Sequence, residues 1–356
     1  MLHSTPTLGG AASAALDELA ELRRELHDQR PPKRWFAHLR RMARGAVASS
    51  SVSIEGFHVT PEAAASILAG DRRPTSPDDE AVAAYGRAMD HVVALADDER
   101  FKWNWRVIAD LHFDLAWHDP EARPGRIRSG PMFITGPTGA AVYTAPEPAA
   151  ASKLLDELVT WLRKGDLDAP SVVRAAMAHL HLVSIHPFAD GNGRASRVLQ
   201  SLVLGRDGQL APELASIEEY LAAHTQDYYD ALQAAHGEAY DPTRSAAGWV
   251  EFCLHAHETT ARRRVVQLRD AARRWSALER VVDARGWPDR LVIALELALT
   301  TGLDRASYTA ESDVSEATAS NDLRRLLDAG LLHSEGAGRA TRYGPTPQLR
   351  EAAAER

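Results

Sequence analysis

The chain has 356 residues, 45% hydrophobic and 25% charged, the balance of an ordinary globular protein with room for two domains and a sizeable core. Its formal net charge of −8 excludes a global basic surface for nucleic acid or anionic membrane. Cys253 is the only cysteine, which excludes an intrachain disulfide and fits a reducing, cytoplasmic setting; no leader-like segment and no membrane-spanning apolar run is present.

Residues 1–12 are rich in Ser, Thr, Gly and Ala and read as a loose tail. Residues 13–44 read as helix, broken at Pro31-Pro32, with a basic solvated face at Lys33, Arg34, Arg40, Arg41 and Arg44. In Ser51-Val52-Ser53-Ile54-Glu55-Gly56, Ser51 and Glu55 stand four apart and share a helix face, and Gly56 would end the helix. Residues 60–69, 79–97 and 104–117 follow as helices. Two short apolar runs, Phe133-Ile134 and Val142-Tyr143, flank Gly136-Pro137-Thr138-Gly139 and suggest a small hairpin. Residues 148–164 and 170–185 are helical again. His179 and His181 lie two apart on the second of these and read as packing residues.

The chemistry concentrates in His186-Pro187-Phe188-Ala189-Asp190-Gly191-Asn192-Gly193-Arg194-Ala195-Ser196-Arg197. Leu182, Val183 and Ile185 lead in, and Val198, Leu199, Leu202 and Val203 follow at helical spacing, so the string is a loop between two helices. Asp190, Gly191 and Asn192 are turn formers and helix starters. Free N–H groups at Gly191–Gly193, unobstructed by side chains, form an anion cradle. Arg194 and Arg197, three apart, can face one anion. The Asp190 carboxylate suits Mg²⁺ shared with substrate phosphates. His186 is the one side chain in the string that takes a proton near neutral pH.

Tyr228-Tyr229 lie on a helix within 212–236, and 244–285 is a long charged helical stretch. His257-Glu258-Thr259-Thr260-Ala261 lacks the second histidine of a zinc-protease motif, and no phosphate-loop string occurs. Beyond it, helices at Leu291–Leu299, Tyr308–Ser312 and Val314–Leu327 precede two strands around Glu335-Gly336-Ala337-Gly338. That order resembles a winged helix-turn-helix with Ser315–Leu327 as recognition helix. Residues 287–345 hold six Lys/Arg and nine Asp/Glu, a net −3 that is unusual for a DNA-binding module. Arg324, Arg325, Arg339 and Arg342 could form a local basic patch. A protein-contacting role and DNA binding stand side by side.

The 186–197 string resembles the signature of the Fic family, His-x-Phe-x-(Asp/Glu)-Gly-Asn-Gly-Arg-x-x-Arg, at every fixed position. The resemblance implies a mainly α-helical fold that moves AMP from ATP to a Ser, Thr or Tyr hydroxyl of a protein. His186 would be the base, Asp190 the Mg²⁺ ligand, and Gly191, Asn192, Gly193, Arg194 and Arg197 the ATP-binding set. The family often places a Tyr-Tyr pair near the nucleotide, which implies Tyr228 and Tyr229. Where some relatives have an adenine-contacting Asn, this chain has His236. Residues 51–56 resemble the inhibitory motif (Ser/Thr)-x-x-x-Glu-(Gly/Asn), with Glu55 engaging Arg197. Residues 126–145 resemble the flap that adds a strand to the target peptide, through Phe133, Ile134, Thr135 and Gly136.

The expected domains are an N-terminal helical region at 1–45, a Fic domain at 46–285 with its inhibitory helix at 46–56, and a winged helix-turn-helix at 286–356. The implied partners are ATP, a protein target that could be the chain itself, DNA through the C-terminal domain, and a second copy in a homodimer; no membrane is implied. A phosphorylating subgroup carries Lys where Gly193 stands, so nucleotidyl transfer is favoured, with AMP removal through Glu55 kept as a further activity. The competing reading is a transcription regulator with a vestigial or sensing Fic domain.

Overall fold

The computed structural model describes residues 1–28, 33–136, 141–208, 215–336 and 341–354. The helix break expected at Pro31-Pro32, the Pro137–Gly139 part of the hairpin turn, and Ala337, Gly338 and Arg339 lie outside these residues, as do the side chains of Lys33 and Arg34. The fold is mainly α-helical with two small antiparallel sheets. Contacts divide the chain into two compact units, Met1–His27 with Arg40–Arg263 and Asp28–Leu39 with Arg264–Arg356.

In the first unit, α1 (Gly10–Asp28), the part of α2 (Lys33–Ser53) from Arg40 on, α3 (Pro61–Leu68), α4 (Pro77–Asp97) and α5 (Trp105–Ala116) precede the hairpin β1 (Phe133–Thr135) and β2 (Ala141–Thr144). Then come α6 (Pro148–Lys164), α7 (Ser171–Ile185), α8 (Asn192–Arg206), α9 (Glu218–Ala223), α10 (Thr225–His236) and α11 (Ala247–Asp283). The starts of α3, α4 and α5 follow from their caps. Thr60, Ser76 and Asn104 each accept a free N–H of the first turn, and Pro61 and Pro77 fix the entry dihedral where no N–H is needed. The chain builds its core around α7. Every α7 residue from Val172 to Ile185 is buried, and Ala175, Ala176 and Ala178 let neighbouring helices approach closely. Against it, α8 buries Val198, Leu199, Leu202 and Val203. Both helices are buried nearly all round, and their polar side chains, among them His179, Arg197 and Gln200, are buried with them.

Two expectations are corrected. Residues 46–53 are not a separate helix but the last turns of α2, with no proline between Arg40 and Ser53 to interrupt it. Gly45 lies inside α2, where a Cβ would come 2.5 Å from the Pro61 carbonyl oxygen, so its bareness lets α2 meet the start of α3. The helix ends in a turn at Ile54–Gly56, with Gly56 at φ +88°. Nor is the start of the chain loose. Leu2 and Leu8 pack on the core, and His3 is 3% exposed with Tyr240 edge-on at 5.7 Å. The Thr5 hydroxyl donates to Asp166 at 2.6 Å. Composition suggested a tail, but these few apolar and aromatic contacts outweigh it.

The second unit holds the start of α2 and the rest of α11, then α12 (Leu291–Leu299), β3 (Leu303–Asp304), α13 (Arg305–Ser312), α14 (Glu316–Asp328), β4 (Leu332–Glu335), β5 (Arg342–Pro345) and α15 (Pro347–Ala354). The division falls within α11, ahead of the expected 285/286 boundary. The sheet order β3-β5-β4 is antiparallel throughout. Three helices and a terminal hairpin are the order expected of a winged helix-turn-helix; β3 and α15 are additions that two- and eight-residue lengths hid from periodicity. Asp322 of α14 is buried, accepts the Arg290 guanidinium at 2.7 and 3.1 Å, and takes the Tyr308 hydroxyl at 2.9 Å. Among the described residues, no helix is long and apolar enough to cross a membrane.

Candidate active site

The helix-to-helix joint places the chemistry. The α7 helix closes with His186 in the left-handed region, at φ 51° and ψ 58°, its N–H donating to the Leu182 carbonyl. That turn throws the imidazole off the helix axis. His186 Nδ1 lies 3.1 Å from the Val183 carbonyl, which accepts only, so Nδ1 carries the hydrogen and Nε2 keeps its lone pair. Burial pushes the imidazole pKa below its ordinary value. The Val183 carbonyl, Glu55 and Asp190 oppose the shift, and the Arg128 charge adds to it. The group is therefore a neutral acceptor at neutral pH.

The loop beyond is held by its own side chains. Asn192 is buried; its carbonyl oxygen accepts the Phe188 N–H at 2.9 Å and its amide donates to the Phe188 carbonyl at 2.9 Å. Phe188 is fully buried and lies flat on His112, centroids 3.7 Å apart. His112 accepts the Gly125 N–H on Nδ1 and donates from Nε2 to the Asp190 carbonyl at 2.9 Å. That pattern needs a neutral ring, and burial holds its pKa down at about 4. Gly191 then turns at φ 74° and α8 begins at Asn192 with no side-chain cap. The first N–H groups of α8 are thus left for an anion.

Arg128 ties the hairpin to this loop. Its N–H donates to the Pro187 carbonyl at 2.9 Å and its Nε to the His186 carbonyl at 2.7 Å. Its remaining nitrogens reach the carbonyls of Gly130 and Pro146, one on either side of the hairpin. On β2, the Tyr143 hydroxyl donates to the Ser184 carbonyl at 2.6 Å. Hairpin and base are therefore positioned together. The Thr144 N–H donates to the Glu238 carbonyl, which covers part of the β2 edge. The outer edge of β1 pairs with no strand among the described residues, and Phe133 there is 54% exposed.

The arginines point at the cradle. Arg197 is 2% exposed; it donates from Nε to the Ser51 hydroxyl at 3.0 Å, and from Nη2 to the Ser51 carbonyl and to Glu55 Oε1, both at 2.9 Å. Its Nη1 and the Nε of Arg194 are buried and make no hydrogen bond among the described residues. Glu55 Oε1 lies 2.6 Å from where a Cβ on Gly193 would stand. A carboxylate of the chain itself thus lies on Arg197 and against Gly193 in the first turn of α8. Asp190 is exposed, with Oδ2 3.3 Å from Arg194. It is a lone carboxylate: no group of three or more His, Cys, Asp or Glu among the described residues could hold a metal. One carboxylate fits Mg²⁺ shared with phosphates and water, not a protein cage.

The structure brings His186, Asp190, Gly191, Asn192, Gly193, Arg194, Arg197, Ser51 and Glu55 into one neighbourhood, with Phe133, Ile134, Thr135 and Gly136 on the hairpin tied to it. It separates the tyrosines. Tyr228 is buried in the core with its hydroxyl 3.1 Å from His179 Nε2, and burial pushes its pKa up. Tyr229 alone is surface-facing, 46% exposed, donating to the Ile54 carbonyl at 3.3 Å. His236 packs under Tyr143, centroids 4.2 Å apart. Sequence reasoning missed His112 and Arg128 as supports of the loop.

Residues 101–204 match the profile of the Fic/DOC family. The chain carries a Fic domain. Its sequence is 30% identical over 152 residues to "Protein adenylyltransferase Fic" of Nematostella vectensis, covering 42% of this chain and 33% of that protein. It is 31% identical over 192 residues to the protein of the same name from Aedes aegypti, covering 52% and 36%. The chain thus matches about a third of the length of these relatives. A Fic family protein from Desulfovibrio desulfuricans shares the fold with a TM-score of 0.64 at 22% identity, over 97% of this chain and 98% of that one. A fragment of Fic-1 from C. elegans gives 0.59 at 22%, over 73% of each. At such identities the likeness is one of fold.

Proposed function

We propose that this protein transfers AMP from ATP to a hydroxyl of a protein, and that Glu55 restrains the reaction. The observation that carries the reading is the joint placement of a neutral, accepting His186 and an arginine-lined anion position at the start of α8. A base beside a phosphate cradle has a use in group transfer and none in a plain interhelical turn. The names of the relatives point the same way.

In the reaction, His186 Nε2 takes the proton of a target Ser, Thr or Tyr hydroxyl. The oxygen forms a bond to the α-phosphorus, and the bond to the pyrophosphate oxygen breaks. N–H groups at Gly191–Gly193 meet the charge that develops on the α-phosphate, a task for dipoles already in place. Asn192 keeps the loop shaped for this. Arg194 and Arg197 hold the outer phosphates, with Nη1 of Arg197 ready for a partner. Tyr229 is the tyrosine of the pair that can reach the nucleotide. Asp190 would hold Mg²⁺, which when bound neutralises phosphate charge. The free edge of β1, at Phe133, Ile134, Thr135 and Gly136, offers the target backbone a strand to pair with. Glu55 fills the outer-phosphate position from within the chain, which supports restraint.

Intact-mass spectrometry after incubation with ATP and Mg²⁺ tests the transfer: the acceptor gains one AMP. A gain of one phosphate group would contradict it. The acid limb of the reaction is a second test. Burial disfavours the imidazolium, so His186 loses its proton at a lower pH than a free histidine. Activity is then lost only as pH falls through that lowered value. The kcat/KM profile should rise to a plateau with its midpoint below 6.5, the ordinary histidine value. Deleting Glu55 removes a charge that opposes the shift, so the midpoint stays low. A midpoint above 6.5 would contradict the assignment of His186 as base.

A further inference from the structure

We propose that His112 is a positioning residue that fixes which way the Asp190–Gly191 peptide faces, so that the loop offers the α-phosphate an N–H group and not a carbonyl oxygen. The inference deepens the transfer reading, on which it rests.

His112 comes from α5, 78 residues before Asp190, and is fully buried. Its two ring nitrogens have opposite duties. The Gly125 N–H donates to Nδ1 at 3.0 Å, so the ring hydrogen is on Nε2, which donates to the Asp190 carbonyl at 2.9 Å. The ring plane is set by Phe188, whose centroid is 3.7 Å away and whose plane is 3° from parallel. Gly191 lies against the ring edge, where a Cβ would stand 3.5 Å from Nε2 and 3.6 Å from Cδ2. One side chain thus touches the loop at Phe188, Asp190 and Gly191 together.

The consequence falls on the peptide between Asp190 and Gly191. It is trans, and in a planar trans peptide the C=O and N–H point in opposite directions. Holding the carbonyl inward on a buried ring therefore turns the Gly191 N–H outward, to the side where the Asp190 side chain is 63% exposed. There it joins the N–H groups at the uncapped start of α8. The choice needs fixing because Gly191, at φ 74°, has the freedom that would let the peptide before it turn over. Turned over, it would aim a carbonyl oxygen at the phosphate. The Asn192 bonds to Phe188 span this peptide without touching it. The His112 bond to Asp190 selects the sense that binds an anion.

Two substitutions divide the two bonds. His112→Gln places an amide N–H near the position of Nε2 and keeps the bond to Asp190. His112→Asn places a carbonyl oxygen near the position of Nδ1 and keeps only the bond from Gly125. Both lose the ring that lies on Phe188, so packing alone does not tell them apart. AMP and adenosine, without metal, are titrated calorimetrically into full-length Glu55→Gly and into the same chain with His112→Gln or His112→Asn. AMP should bind the His112→Gln chain nearly as well as Glu55→Gly alone. It should bind the His112→Asn chain about tenfold more weakly, as loss of one hydrogen bond to a charged group would give. Adenosine, which has no phosphate, should bind all three alike. Equal AMP affinity in the two His112 variants would overturn the inference, as would adenosine weakened along with AMP, the mark of general damage. Should His112→Asn fail to fold, the ¹⁵N amide signal of Gly191 in Glu55→Gly decides. It should shift on addition of AMP and not of adenosine, and a signal unmoved by AMP would overturn the inference. Each of these failures leaves the transfer reading intact, because AMP still binds. No AMP binding by Glu55→Gly at all would sink both.

Discussion

His186→Ala lowers AMP transfer about 10²–10⁴-fold, the usual cost of losing one general base, while ATP binding stays near that of the parent. The two effects separate because of where the residue sits. The imidazole hangs from the left-handed end of α7 with Nε2 free, whereas the proposed phosphate contacts come from the start of α8, Arg194 and Arg197. The loop itself is held by Asn192, Arg128 and the Phe188–His112 stack, none of which uses the imidazole. Arg128 meets the main-chain carbonyl of His186, which alanine retains. Initial rates and equilibrium ATP binding, measured on the same preparation, check both halves. Near-normal transfer would remove the histidine from the reaction, and loss of ATP binding would mean the loop depends on it.

Glu55→Gly should act in the opposite direction. Its carboxylate bonds Nη2 of Arg197 at 2.9 Å and crowds Gly193. ATP reaching this site must either displace it or settle with its outer phosphates misplaced and its α-phosphorus out of line. A charge-assisted hydrogen bond of this kind contributes about 1.5–3 kcal/mol, so its loss should raise transfer on the order of ten- to a hundredfold. Adding Arg197→Ala should abolish the gain, because one arginine serves the restrained and the active state. If Glu55 also positions a water for AMP removal, the same variant loses hydrolysis as it gains transfer. Transfer unchanged in Glu55→Gly would reduce the Ser51–Gly56 segment to an ordinary helix end.

Much of the site could be read in the sequence because it is local. A base, a carboxylate, three turn formers and two arginines within one short string leave little freedom once a helix precedes and another follows. The Ser51/Glu55 spacing was equally legible, since residues four apart share a face. What stayed hidden depends on distant backbone. His112 and Arg128 support the loop through main-chain carbonyls contributed by other segments, and no spacing rule marks a side chain for that role. The tyrosines were decidable in principle. Tyr228 is in phase with Leu232 and Ala235, both buried, and its neighbour is turned about 100° away. Reading the pair as a unit overrode that phase. The ordered start of the chain was lost to a compositional argument, although Leu2, His3 and Leu8 supply the apolar contacts.

The central claim, a complete transfer site restrained by its own glutamate, is tested most directly with ATP labelled on either the α- or the γ-phosphate. Each is incubated with Mg²⁺, an acceptor protein, and the parent chain, Glu55→Gly, or Glu55→Gly with His186→Ala. Label from the α-phosphate should enter protein strongly with Glu55→Gly, weakly with the parent and negligibly with the double variant, and label from the γ-phosphate should enter with none. Incorporation from the γ-phosphate, or α-label that is indifferent to both Glu55 and His186, would contradict the account.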